Sequence, residues 1–215
     1  PRRHPAALRG HRRHLRGDGQ GGSARGGGEE GRSRQVRRRS DSQGAPSRRR
    51  LVAVLVAGFG YDCFANWLEA PGTTVEHLRR QGYELSLIGV EGLSSTTRNA
   101  RLIRDALMAL PVEPGPPRIV LVGYSKGSND ILETLVAYPE VRPRVAAFVS
   151  MAGTIGGSPL ANDSDQGMAE LLTRFPGSKC TVGDRGAVAS LRPETRQAWL
   201  AANPLPKELR YYSVV

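Results

Sequence analysis

The sequence predicts an α/β fold, in which a mostly parallel sheet is flanked by helices and carries a helical, cap-like insertion. Two observations support this prediction. From residue 51 onward, apolar runs alternate with amphipathic segments, and this alternation is typical of parallel strands joined by right-handed helical crossovers. The runs are also apolar throughout rather than at every second position, as expected for strands covered on both faces.

Five apolar runs predict the strands. The first, residues 51–57, reads LVAVLVA, and it follows three arginines in a way that imitates a short export signal. The α/β pattern that starts there favours a buried strand instead. The other four predicted strands are residues 85–90, 118–123, 145–151 and 209–215.

Helical signals lie between these runs. Thr73 and Glu76 have the spacing of a capping box, and Gly82 lies where a glycine often ends a helix. Apolar residues at helical spacing lead up to Pro111 and, further on, to Pro139. Residues 154–207 lack a strand run and are too long for a plain loop, so they predict a small helical insertion with helices at 166–175 and 193–202.

The positive charge of the chain is confined to its first fifty residues. They contain 15 Arg and 4 acidic residues, which accounts for the whole net charge of +11. This segment has few apolar residues and is expected to be a disordered Arg/Gly-rich tail, while residues 51–215 form the folded part. An RNA-binding tail is the alternative to a solvated linker, but the neutral folded part argues against nucleic-acid binding.

The cysteines and histidines indicate no metal site. Cys63 and Cys180 could pair, although free thiols are favoured, and three of the four histidines lie in the tail. No apolar run reaches the roughly 18 residues of a transmembrane segment, and the cytoplasm is slightly favoured as the compartment.

Residues 123–127 read GYSKG and fit the pattern G-x-S-x-G, directly after a predicted strand and before a predicted helix. In such a turn, Gly123 and Gly127 leave room for neighbouring backbone, and the Ser125 hydroxyl is lifted above the sheet. The start of the helix offers free N–H groups to a developing oxyanion. Ser125 is therefore the candidate nucleophile, and Tyr124 is a candidate substrate-lining residue.

With a second glycine-rich turn after the first strand, at Gly58, Phe59 and Gly60, the chain resembles the α/β-hydrolase superfamily, especially its lipases and esterases. These often carry His-Gly-x-Gly here, whereas this sequence has Ala57 at the His position. The resemblance implies that the backbone N–H groups of Phe59 and Lys126 form the oxyanion hole, with Gly58 lining the substrate. The Lys126 side chain is expected to point into solvent, and Asp130, four residues on in the same predicted helix, could pair with it.

The resemblance also implies a substrate cleft beside the fourth strand. Met151 and Thr154 are candidate lining residues, and residues 154–207 would cap the cleft. It implies a small-molecule ester substrate and no cofactor or metal.

Superfamily members carry their catalytic groups in the order Ser, acid, His, but no His follows Ser125. By resemblance, the five strands correspond to the third to seventh of the family's sheet, so the acid and His are expected beyond Val215. His77 is expected on the surface. Asp163, Asp165 and Asp184 are weak acid candidates.

The predicted function is that of a serine hydrolase acting on carboxylic esters. The chain as given is expected to be a poor catalyst, because it lacks the catalytic His. The alternative is a non-catalytic hydrolase-fold protein that binds a ligand or a partner.

Overall fold

A computed structural model describes residues 51–64, 76–77, 79–111, 115, 118–163 and 166–214. The predicted tail, residues 1–50, lies outside the described residues, as does Thr73 of the predicted capping box.

Five parallel strands form one sheet in the order β2-β1-β3-β4-β5. Their bounds are Leu51–Val56 for β1, Tyr83–Ile88 for β2, Ile119–Tyr124 for β3, Val145–Met151 for β4 and Tyr211–Val214 for β5. The parallel α/β sheet predicted from the sequence is thus confirmed. Strand β2 begins two residues before its apolar run, because it pairs residue by residue with the whole of β1.

Two helices pack beside this sheet and against each other. Helix α1 spans Thr96–Ala109 and α2 spans Lys126–Ala137. Ser95 caps α1, since its side chain accepts a hydrogen bond from the Arg98 amide. Buried apolar side chains of both helices and of β1, β3 and β4 form the core, among them Val54, Ile103, Leu107, Leu121, Ile131, Leu135 and Phe148.

The segment between β4 and β5, residues 152–210, is helical and has no strand among its described residues. It contains α3 at Leu160–Asp163, α4 at Gln166–Arg174, α5 at Ala187–Leu191 and α6 at Pro193–Ala202. We call it the β4–β5 segment. None of the helices in the described part of the chain is long and apolar enough to cross a membrane.

A disulfide joins Cys63 to Cys180, so the expectation of free thiols was wrong. Cys63 ends a short 3-10 helix, Tyr61–Cys63, in the loop after β1, and Cys180 lies in the β4–β5 segment. The two are 117 residues apart in sequence. They meet because the β4–β5 segment returns to the loop after β1, which no local pattern reveals.

The strand order creates a topological switch point between β1 and β3. From β1 the chain passes to β2 on one side, and β3 pairs with β1 on the other. The connections that follow β1 and β3 therefore leave the carboxyl ends of two adjacent strands in opposite directions. Open α/β sheets bind their ligands at such a point.

Candidate active site

Ser125 lies between the end of β3 and the start of α2, in a backbone conformation that is rare outside glycine. Its φ is 53° and its ψ is −122°. Three hydrogen bonds fix this residue: its amide donates to the Met151 carbonyl at 3.0 Å, and its carbonyl accepts from the amides of Ser128 at 3.1 Å and Thr154 at 3.4 Å. The surrounding backbone therefore holds the serine in a strained turn.

Close backbone contacts explain the glycines on either side of Ser125. A Cβ atom on Gly123 would lie 2.6 Å from the Ser128 Cα. A Cβ atom on Gly127 would lie 2.3 Å from the Val56 carbonyl oxygen, at the end of β1. Only glycine lets α2 begin this close to the sheet.

The glycine turn after β1 meets the turn that carries Ser125. A Cβ atom on Gly58 would lie 2.9 Å from the Ser125 Cβ and 3.4 Å from the Ser125 Oγ. Ser125 is partly exposed, and its hydroxyl forms no hydrogen bond with any residue in the described part of the chain. The hydroxyl is thus available beside the loop after β1.

The backbone amides of Phe59 and Lys126 flank the contact between Gly58 and Ser125. Phe59 directly follows Gly58, and Lys126 directly follows Ser125. Lys126 is the first residue of α2, where an amide has no partner within the helix. Neither amide donates to an acceptor among the residues that the structure describes. The start of α2 also contributes a partial positive charge, so both amides can receive an anionic oxygen.

The Lys126 side chain is buried, which corrects the expectation that it points into solvent. It is 1% exposed, and its Nζ lies 2.7 Å from Oδ1 and 2.9 Å from Oδ2 of Asp130. Asn99 of α1 donates a further hydrogen bond to Asp130 Oδ2 at 2.8 Å. Burial raises the pKa of the Asp130 carboxyl, and the Lys126 ammonium opposes this rise. The side chain is buried because α1 covers this side of α2.

The three other candidate lining residues differ in their surroundings. Tyr124 and Met151 are paired at the carboxyl ends of β3 and β4, and they are 53% and 41% exposed. Thr154 instead contacts α2, because its carbonyl and hydroxyl oxygens accept hydrogen bonds from Asn129 Nδ2 at 2.8 and 3.1 Å. Tyr124 and Met151 are thus open to a ligand, while Thr154 supports the turn.

The two weak acid candidates that the structure describes, Asp163 and Asp184, are not joined to Ser125. The carboxylate of Asp184 binds the start of α1, accepting hydrogen bonds from the Ser95 amide at 2.7 Å and the Ser95 hydroxyl at 2.5 Å. Asp163 is exposed, as is His77, and Asp165 lies outside the described residues. Within the described ranges, no group of three or more His, Cys, Asp or Glu side chains could hold a metal ion.

Sequence reasoning missed Asn99, which donates to Asp130, and Asn129, which donates to Thr154 beside the Ser125 turn. Both are fully buried. Asn99 stands next to the apolar stripe of α1, and Asn129 lies one helical turn after Ser125. Polar residues on the buried face of a predicted helix were the signal that could have revealed them.

Comparisons with known proteins agree with this architecture. No family model and no curated protein matches the chain. The chain is similar to a metagenomic carboxyl esterase, with 36% sequence identity and a TM-score of 0.67 over 78% of this chain and 50% of that enzyme. The mature form of a Bacillus licheniformis lipase is similar at 21% identity, with a TM-score of 0.61 over 78% of this chain and 66% of the lipase.

The chain thus spans half the length of the carboxyl esterase that it resembles. The esterases and lipases among its structural neighbours are α/β-hydrolases, and they share its parallel sheet with flanking helices. From its fold and these similarities, the chain belongs to the α/β-hydrolase superfamily.

Proposed function

We propose that this chain carries the nucleophile and oxyanion hole of a serine hydrolase that acts on carboxylic esters. The observation that supports the proposal most strongly is the contact of Gly58 with Ser125. At this contact the strained Ser125 lies next to the loop after β1. Its hydroxyl has no hydrogen-bond partner among the described residues, and two nearby backbone amides can receive an anionic oxygen. The similarity to a carboxyl esterase supports the same reaction class.

In the proposed reaction, the Ser125 Oγ attacks the acyl carbon of the ester and passes its proton to a histidine base. The oxyanion of the tetrahedral intermediate accepts hydrogen bonds from the Phe59 and Lys126 amides. The histidine then protonates the departing alcohol, and water hydrolyses the acyl-enzyme. The chain covers half of the similar carboxyl esterase, so we assign the base and its acid to the part of the hydrolase that this chain does not cover.

The substrate would lie over the carboxyl ends of β3 and β4, between Tyr124 and Met151. The β4–β5 segment would act as its cap. We call the loop after β1, residues 57–64, the oxyanion loop, because it carries the Phe59 amide. The β4–β5 segment reaches this loop, since a Cβ atom on Gly60 would lie 3.1 Å from the Leu172 Cδ1 of α4. A cap this close to the amide donors suits the proposed role in selecting acyl groups.

The disulfide indicates the kind of cellular compartment in which the protein resides. Disulfides persist mainly in oxidising environments and are rare in the cytosol. The Cys63–Cys180 bond therefore favours an oxidising compartment over the cytoplasm that was slightly favoured from the sequence.

Hydrolysis of a short p-nitrophenyl ester tests the proposal. The chain as given, a version extended past Val215 and the extended Ser125→Ala variant are compared, with Ser86→Ala as a control on the edge strand β2. We expect the extended protein to be active, Ser86→Ala to match it, and Ser125→Ala and the shorter chain to lose about 10⁴-fold or more. If the chain as given and the extended version hydrolysed the ester at equal rates, and both rates depended on Ser125, the placement of the base would be contradicted.

A further inference from the structure

Asp62 links the oxyanion loop to two other parts of the chain. It lies three residues after Phe59, in the 3-10 helix Tyr61–Cys63. Its Oδ1 accepts a hydrogen bond from the Gly92 amide at 3.0 Å, in the connection between β2 and α1. Its Oδ2 accepts one from the Thr181 amide at 3.0 Å, in the β4–β5 segment. We call these three groups the Asp62 clasp.

Backbone contacts on both sides show how tightly the clasp fits. The Gly60 amide donates to the Gly92 carbonyl at 3.2 Å. A Cβ atom on Gly92 would lie 2.4 Å from Asp62 Oδ1 and 2.7 Å from the Gly60 amide nitrogen. The oxyanion loop therefore lies directly against the connection after β2, with no room for a side chain between them.

The β4–β5 segment holds the same loop from the other side. The Lys179 amide donates to the Cys63 carbonyl at 3.1 Å, and Cys180 is bonded to Cys63. Residues 179–181 thus run along Asp62 and Cys63 with three successive attachments. The Asp62 carboxylate thus binds both this segment and the connection after β2, and it lies in the loop that carries the Phe59 amide.

We propose that Asp62 is a positioning residue that holds the Phe59 amide in place for the oxyanion. This inference rests on the proposed function. An oxyanion donor is effective when it is preorganised, and small displacements of such a group are costly to the rate. Both oxygens of Asp62 accept from backbone amides, and hydrogen bonds to a charged acceptor are the stronger kind. Asp62 therefore sets the loop geometry, while the disulfide mainly restricts the unfolded chain.

Three forms of the protein extended past Val215 test this division of roles: the parent, Asp62→Asn and the double variant Cys63→Ser/Cys180→Ser. Asparagine keeps the size of Asp62 but turns one acceptor into an NH₂ group that faces an amide donor. We expect Asp62→Asn to lower kcat by about 10- to 100-fold with KM nearly unchanged, which is less than the loss of a whole oxyanion donor. The double variant should lower Tm and retain most of kcat.

Amide hydrogen exchange over residues 58–63 provides a readout that does not depend on activity. We expect exchange of this segment to be faster in folded Asp62→Asn than in the parent. Unchanged exchange, an unchanged kcat, or a fall in kcat no larger than that of the double variant would overturn the role of Asp62. Absence of Ser125-dependent activity in the parent would instead refute the proposed function, and the exchange rates would still decide whether Asp62 holds the loop.

Discussion

Gly58 and Ser125 are in van der Waals contact, although 67 positions of sequence numbering separate them: a Cβ atom on Gly58 would lie 2.9 Å from the Ser125 Cβ. The pairing of β1 with β3 produces this contact, because the two residues follow neighbouring carboxyl ends. A glycine at this point lets the loop after β1 approach the candidate nucleophile. The amide of Phe59 is brought to the site by the same approach.

Replacing Gly58 by alanine should impair catalysis in the extended protein. The added Cβ would meet the Ser125 Cβ at 2.9 Å and the Tyr124 carbonyl oxygen at 3.1 Å, so the loop must move away from the candidate nucleophile. We expect kcat to fall by about 10- to 100-fold, because the proposed oxyanion donor, the Phe59 amide, moves with the loop. The control is Gly89→Ala, where an added Cβ meets nothing within 4 Å. Similar kcat values for the two variants would show that the contact has no catalytic role.

Removing the carboxylate of Asp130 should destabilise the protein strongly. Asp130→Ala leaves the buried Lys126 ammonium without its partner, and such losses cost about 3–5 kcal/mol. Glu170→Ala is the matched control, since Glu170 and Arg174 have the same helical spacing but are largely exposed. The control should cost no more than about 0.5 kcal/mol. Urea unfolding measures both values, and equal losses would contradict the burial of the Lys126–Asp130 pair.

Stability should fall in acid partly because of Glu91. The side-chain hydrogen bond from Arg98 lowers the pKa of Glu91 below its ordinary value of 4.5, and the Ser94 hydroxyl acts in the same direction. A lowered pKa in the folded state means that the carboxylate stabilises the fold above about pH 4.5, and that this contribution is lost as the pH falls through the folded value.

The pH dependence of Tm between pH 7 and 3 tests this role. Glu91→Gln should have a lower Tm than the parent at pH 7, and the difference should shrink in acid. Glu84→Gln, at an exposed position of β2, is the control and should follow the parent. A constant difference between Glu91→Gln and the parent over the whole range would contradict the assignment.

Local patterns predicted most of the described fold. The apolar runs gave the five strands, and helical spacing gave α1, α2, α4 and α6, because the periodicity of an amphipathic element is visible in a short window of sequence. The pattern around Ser125 was equally local, since strand, serine turn and helix follow each other directly. These features need no knowledge of distant residues.

What the sequence did not reveal depends on distant residues. The spacing of Lys126 and Asp130 in α2 allowed for their pairing, but their burial depends on α1, whose Asn99 donates to Asp130 only because α1 packs on α2. Likewise, the Cys63–Cys180 bond and the contact of Asp184 with Ser95 depend on how the β4–β5 segment returns to the sheet. Asp62 was missed for the same reason, as its partners are 30 and 119 positions away.

Fluorophosphonate labelling of the protein extended past Val215, with the labelled residue located by mass spectrometry, tests the role of Ser125 most directly. Only an activated serine reacts readily with this reagent, so the account predicts one label on Ser125 and none in Ser125→Ala. A folded protein that remains unlabelled, as a non-catalytic ligand-binding hydrolase fold would, or a label on a different serine, would contradict it.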